Sequence, residues 1–393
     1  IRDSDYTITS SAASTIAGSL NTGTSVTIAT SNSSGPGVGA VSSSGNITWN
    51  ANVTLLKSSG GDATLTLQAN GDIFFNGGAN ITSTSGKLNL VFISDYDSAN
   101  GGTIFLYGGS TPITINTNGG AFWMGGNGYA AANSTTTWNG LIVGSGMADS
   151  YTGTAAQEGI NLNNVSITTG GGDFYMAGKN GLYTSGTDRY GVRIQGGTLI
   201  STGAGNITVN GSLNQMNGSL SSYGVLYGVS VVSSTLQTTT GNISITGGEV
   251  PTDINNNWGG YGIYVYNSAI KTTGSSGNIT LTGNTGVDNG GGYTRDGILI
   301  FANGTNAATT ISTVGGNLNI TGNSCVTSNA NSAGVEFRTS STVNSNANNP
   351  IIKVVSQTGN VSVTGDNVNN TNTSSSGIYF NGSYYGEFFV GYD

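Results

Sequence analysis

Short stretches of strictly alternating apolar and polar residues recur along this chain at nearly constant intervals. In residues 277–283 (GNITLTG), Ile279 and Leu281 alternate with Asn278, Thr280 and Thr282. That period of two marks a strand with one buried face. The phrase begins at Gly205, Gly241, Gly277, Gly316 and Gly359, in steps of 36, 36, 39 and 43 residues. A second phrase keeps pace with it, starting at Gly159 (GINL), Gly191 (GVRI), Gly228 (GVSV), Gly262 (GIYV), Gly297 (GILI), Gly334 (GVEF) and Gly377 (GIYF). A third short strand lies between the two, as in Thr198-Leu199-Ile200 or Ala269-Ile270-Lys271. Two phrases repeating in step at this period mark a solenoid. No apolar pattern of helical period persists for three turns, so no helix is predicted.

One repeat therefore reads as three strands, three corners and a longer loop after the GN strand, as in 247–261 and 283–296. Gly and Asn cluster at the corners because both tolerate left-handed backbone. The predicted fold is all-β: a right-handed parallel β-helix, single-stranded, with three short strands per coil and variable loops at one corner. Its handedness follows the general rule for parallel connections. One continuous solenoid is expected over residues 1–393, with cap or edge strands in 1–40, less regular coils in 41–158 and regular coils of about 32–43 residues in 159–393. About ten to thirteen coils stacked at roughly 4.8 Å would make a rod on the order of 50–60 Å long. Ile207, Ile243, Ile279, Leu318 and Val361 are expected to form one vertical core file.

Composition narrows the function. Charged residues are only 7% of the chain and the net charge is −8, against about a quarter charged in ordinary domains. Nucleic acid demands a clustered basic surface, so it is rejected as a partner. No apolar run is long enough for a membrane span. Histidine is absent, which removes Ser-His-Asp and Cys-His chemistry and the usual zinc sites. The single cysteine, Cys325, permits no internal disulfide and reads as a small buried hydrophobe.

What remains is carboxylate and aromatic chemistry. Asp95 and Asp97, read as an Asp-x-Asp on a strand, would point both carboxylates to one face and make Ca²⁺ a candidate ligand; the competing reading is a solvated loop start. No other metal or cofactor is implied. Asp188-Arg189 and Arg295-Asp296 read as surface ion pairs at coil corners, each worth under about 1 kcal/mol. Trp258, Tyr261, Tyr264, Tyr266 and Tyr293 lie in or beside the decorated corner, and Tyr190, Tyr223 and Tyr227 precede earlier Gly phrases. Trp258, Tyr261, Tyr264 and Tyr293 are candidates for stacking on a glycan, against a ladder of aromatics packing on one another. Phe122-Trp123-Met124 and Phe174-Tyr175-Met176 match each other, and Phe122 and Met124 are expected inside. Asn46, Asn52, Asn80, Asn206, Asn242, Asn278 and Asn360 begin Asn-x-Ser/Thr sequons. The alternative for those in the GN phrase is a hydrogen-bonded Asn ladder.

The run from Gly45 to Phe92 (GNITWNANVTLLKSSGGDATLTLQANGDIFFNGGANITSTSGKLNLVF) resembles the filamentous-haemagglutinin-like bacterial adhesins, exoproteins of two-partner secretion or autotransporter type. The secretion-domain signatures NPNL and NPNGI are not present. The resemblance covers about residues 40–130 and implies an extracellular or cell-surface rod used in adhesion or matrix building. It also implies partners among its own copies, neighbouring domains of a longer chain, or host and matrix glycans or proteins. The chain begins Ile1-Arg2-Asp3 and stops at Asp393 after an aromatic strand, so a piece of something longer, or a rod stacking head-to-tail into filaments, is expected. The runner-up is a carbohydrate-binding or polysaccharide-cleaving β-helix, favoured if three carboxylates converge on a Lys or Arg. Ice binding is a minor alternative, weakened because no Thr-x-Thr row runs through every coil.

Overall fold

The computed structural model describes residues 5–30, 45–98, 101–127, 134–149, 158–180, 188–213, 225–248, 259–285, 295–304, 307–324, 332–340, 349–367, 376–382 and 387–392. Cys325, Trp258, Tyr293 and Tyr223 lie outside them. Three parallel sheets of 11, 10 and 11 strands carry almost every strand. The chain visits them in rotation, one strand each per coil. The GIYV phrase forms the first sheet, the short strand the second and the GN phrase the third. This is a parallel β-helix solenoid. The chain divides into two compact units, Ile1–Gly181 with Thr198–Gly205, and Leu182–Gly197 with Asn206–Asp393.

The first unit contains a helix that the alternation pattern did not predict. Its first coil runs strand Tyr6–Ile8, helix Ser10–Leu20, strand Val26–Ala29. The helix thus takes the place of a second-sheet strand, so that sheet begins one coil later, at Thr54–Lys57. It packs chiefly on that strand and buries Ala13, Ile16 and Leu20. Thr9 caps it, its side chain accepting a hydrogen bond from the Ala12 amide at 3.3 Å. Asn21 ends it and ties it down: its Oδ1 accepts the Ser58 and Ser59 amides at 2.8 and 3.1 Å. Sequence signals were weak because the apolar stripe is made of one Ala, one Ile and one Leu in a field of Ser and Thr.

Inside this unit an aromatic column runs from coil to coil. Trp49 stacks on Phe75 at 4.9 Å, Phe75 on Phe92 at 5.2 Å, and Phe92 meets Phe122 edge-on at 4.9 Å. Phe122 and Phe174 are register partners, as are Met124 and Met176, and all four are fully buried. Trp123 points to the outer face yet is also buried. An antiparallel hairpin, Thr135–Trp138 with Leu141–Gly144, covers it and makes a small second core of Val91, Ile93, Trp123 and Val143.

The second unit is more regular. Ile207, Ile243, Ile279, Leu318 and Val361 occupy successive register positions. The first four are at most 1% exposed, while Val361 is half-buried. Outward positions of the same strands carry Thr208, Ser244, Thr280, Asn319 and Ser362 in register, a polar file without a strict Thr row. Asn206, Asn242, Asn278, Asn317 and Asn360 form a ladder at the corner. The Oδ1 of each of the first four accepts the backbone amide of the Asn one coil on, at 2.8–2.9 Å.

The two repeating phrases stay in step because their glycines touch. A Cβ on Gly247, Gly283 or Gly322 would fall within 3.0 Å of the carbonyl oxygen of Gly262, Gly297 or Gly334 respectively. The close of the third-sheet strand and the start of the next first-sheet strand therefore abut backbone to backbone, and only glycine permits that.

Candidate functional site

The outer face of the first sheet in the second unit gathers the densest chemistry among the described residues. It is built on strands Arg189–Gln195, Val225–Val232, Gly259–Tyr266, Arg295–Asn303, Ala333–Ser340 and Ser376–Gly382. One register row runs Tyr190, Tyr227, Tyr261, Asp296. The next runs Arg193, Ser230, Tyr264, Leu299, Glu336, Tyr379, and a third runs Tyr266, Phe301, Arg338, Asn381. Tyr261 and Tyr264 share the outer face although they are three residues apart. Gly262, pressed against the third sheet, breaks the alternation, and Gly228 and Gly297 do so at the same place in the coils on either side.

The tyrosines pack on one another. Tyr190 and Tyr227 stack at 4.7 Å, Tyr227 meets Tyr261 at 5.5 Å and Tyr264 at 5.4 Å, and Tyr261 stacks on Tyr264 at 5.6 Å. Tyr264 continues to Tyr266 and Tyr266 to Phe301. The Arg193 guanidinium lies 4.3 Å from the Tyr190 ring centre. Burial pushes the phenol pKa values up, Tyr261 to about 12, with Asp296 adding to the rise; Tyr227 and Tyr264 are raised by the same cause. Of the four glycan candidates, the structure brings Tyr261 and Tyr264 together, half-buried and ring to ring.

At the other end of the strip lie two carboxyls and a guanidinium. Glu336 is held by Arg338, Nε donating to Oε1 at 2.8 Å and Nη2 to Oε2 at 2.6 Å. The Asn381 amide adds a bond to Oε1 at 3.1 Å. Asp296 Oδ1 accepts the Ala333 amide at 2.8 Å, while Asp296 Oδ2 is enclosed with no donor. Burial and the neighbouring Glu336 hold the Asp296 pKa well above the carboxylate range. Burial would lower the Arg338 pKa, but the bond and charge of Glu336 outweigh it and raise it.

Three of the four residues expected in surface ion pairs are buried. Arg189, Arg295 and Asp296 are 3%, 2% and 0% exposed. Asp188 instead anchors the next coil. Its Oδ1 accepts the Val225 amide at 2.9 Å and its Oδ2 the Tyr190 hydroxyl at 3.3 Å.

The Asp95–Asp97 segment is a loop start, not an Asp-x-Asp strand, but Asp95 is not solvated. Strand Leu88–Ser94 ends before Asp95, which turns the chain with φ 49°, so the two aspartates are not alternate strand residues. Asp95 is 1% exposed and its pKa is pushed up to about 7, first by burial and then by Asp149 and Asp97. Asp72 rises to about 6 through burial, opposed by a hydrogen bond to the Thr103 amide. Among the described residues no group of three or more His, Cys, Asp or Glu could hold a metal ion, and no helix is long and apolar enough to cross a membrane.

One further feature escaped sequence reasoning. A cleft of about 330 Å³ opens beneath the hairpin of the first unit, with Thr27, Thr64, Thr66 and Gln68 on its floor and Leu141 and Ile142 on its lip. The hairpin's position over the sheet is a tertiary fact that alternation does not encode.

The fold and this face define a parallel β-helix with an aromatic–carboxylate strip on one sheet. Comparison with protein-family models, curated proteins and solved structures finds no match to this chain, so the haemagglutinin-like resemblance rests on the quoted phrases alone.

Proposed function

We propose that this chain is a non-catalytic structural and adhesive protein of the bacterial surface or secreted fraction, acting outside the cell. The observation that supports it most is how the strip uses its reactive groups. Asp296 and Glu336 are 0% and 1% exposed, and both Glu336 oxygens are taken by Arg338 and Asn381. A cleaving enzyme needs its acid and base within hydrogen-bond reach of substrate. The tyrosines likewise engage one another, which suits a stiff coil edge offering a broad, weakly polar face to a glycan or protein.

Polysaccharide cleavage is the second reading, favoured by the meeting of two carboxyls with Arg338 on one sheet. The two readings part on a simple assay. Purified protein is incubated with neutral and acidic polysaccharides, and new reducing ends and unsaturated uronates are measured. We expect none, together with retention on immobilised glycans that falls at least several-fold in Tyr264→Ser. Chain cleavage that disappears in Asp296→Asn would overturn the non-catalytic reading.

A further inference from the structure

We infer that Asp296 and Glu336 hold one proton between them, forming a carboxyl–carboxylate bond that locks two neighbouring coils and opens in alkali. The two groups offer four oxygens. Asp296 Oδ1 has the Ala333 amide, Glu336 Oε1 has Arg338 Nε and Asn381 Nδ2, and Glu336 Oε2 has Arg338 Nη2. The fourth, Asp296 Oδ2, is enclosed and receives nothing. A buried carboxylate oxygen without a donor carries its full desolvation cost, and a second carboxylate beside it adds like-charge repulsion. A single proton on the pair removes both penalties, since Oδ2–H then donates to Glu336.

Charge counting leads to the same place. From the strand on one side Asp296 meets Tyr261, and from the other Glu336 and Arg338. Arg295, on its own strand, is the adjacent residue and projects to the opposite face. Among the described residues two carboxylates face one guanidinium, so the site is one positive charge short unless it keeps a proton. The rise in the Asp296 pKa from burial and Glu336 agrees in direction. With the proton in place the pair and Arg338 sum to zero charge. Its loss leaves an anion beneath the tyrosine strip and pushes the coils apart.

The sign of the pH effect follows. Asp296 is protonated in the folded chain and ionised in the unfolded chain above its ordinary value of 3.8, so unfolding releases a proton and stability falls as pH rises. The folding constant of the wild type, taken relative to Asp296→Asn, should drop about tenfold per pH unit above pH 4 until the pair itself ionises. Asp72 and Asp95 titrate in both proteins and cancel from this ratio. Infrared spectroscopy gives a second readout that does not depend on folding stability. Above about pH 8, Asp72 and Asp95, with values of about 6 and 7, have ionised. A protonated-carboxyl stretch surviving there, and missing in Asp296→Asn, is the expected result. Parallel stability curves for the two proteins, or no acid band above that pH, would overturn the shared proton.

Discussion

At the scale of single residues, the glycines divide into two kinds that look alike in the sequence. Gly283 ends a GN phrase, and a Cβ there would run into the Gly297 carbonyl and Ile298. Gly61 lies in a turn, and a Cβ there meets nothing within 4 Å. Gly283→Ala should cost about 2–3 kcal/mol by overpacking a backbone contact that cannot yield. Gly61→Ala should leave stability unchanged or raise it by about 0.5 kcal/mol by restricting the unfolded chain. Urea denaturation of the pair checks this, and equal effects would remove the explanation for why the two phrases keep step. The periodic glycines were legible as corners. Their role as the joint between two sheets was not, because a close approach involves the neighbouring coil and leaves no mark on local pattern.

At the scale of elements, what could be read was what alternates. The file Ile207, Ile243, Ile279 and Leu318 follows from period two plus a repeat of 36–39 residues. Ile279→Asp puts an unpaired charge at a 0% exposed position and should cost several kcal/mol, on the order of 3–5; an unchanged melting curve would show that the file is not interior. The helix Ser10–Leu20 was not read, since Ala13 is a weak apolar signal and the third apolar position, Leu20, is its last residue. Its stability is correspondingly improvable. Gly18 stands in the last turn of the helix with open space around a would-be Cβ, so Gly18→Ala should stabilise it by up to about 1 kcal/mol, while Thr9→Ala should remove a cap at a cost of about 1 kcal/mol. Circular dichroism melts of the two variants should move in opposite directions. The tyrosine strip was partly legible: Tyr190, Tyr227, Tyr261 and Tyr264 stand out beside the Gly phrases. Their partners Asp296, Glu336 and Arg338 come from later coils, and the burial of Asp296 inverted the surface-pair expectation.

At the scale of the whole molecule, the chain has few charges and hides several of its acids. Those acids oppose the usual dependence of stability on pH. Ordinary carboxylates gain partners on folding, have depressed pKa values and protect the fold above pH 5. Here Asp72 and Asp95 are desolvated, with folded values of about 6 and 7 against 3.8 unfolded. Each is neutral in the folded chain where it would be ionised in the unfolded one. Their favourable contribution is complete below pH 3.8, and it fades between 3.8 and about 6 for Asp72 and between 3.8 and about 7 for Asp95. The net charge of −8 acts in the same direction, since self-repulsion grows as carboxyls ionise. The protein should therefore be most stable in mildly acidic solution and lose stability steadily to pH 7. Asp95→Asn separates the buried group from the general charge effect. It should flatten the fall between pH 6 and 7, where Asp72 passes from about half to mostly ionised, by about fivefold in the folding constant. The slope below pH 6 should keep the Asp72 share. Thermal melts at unit pH steps decide it: a wild-type curve that rises toward pH 7, or an Asp95→Asn curve parallel to it, would mean that these aspartates are solvated in the folded chain.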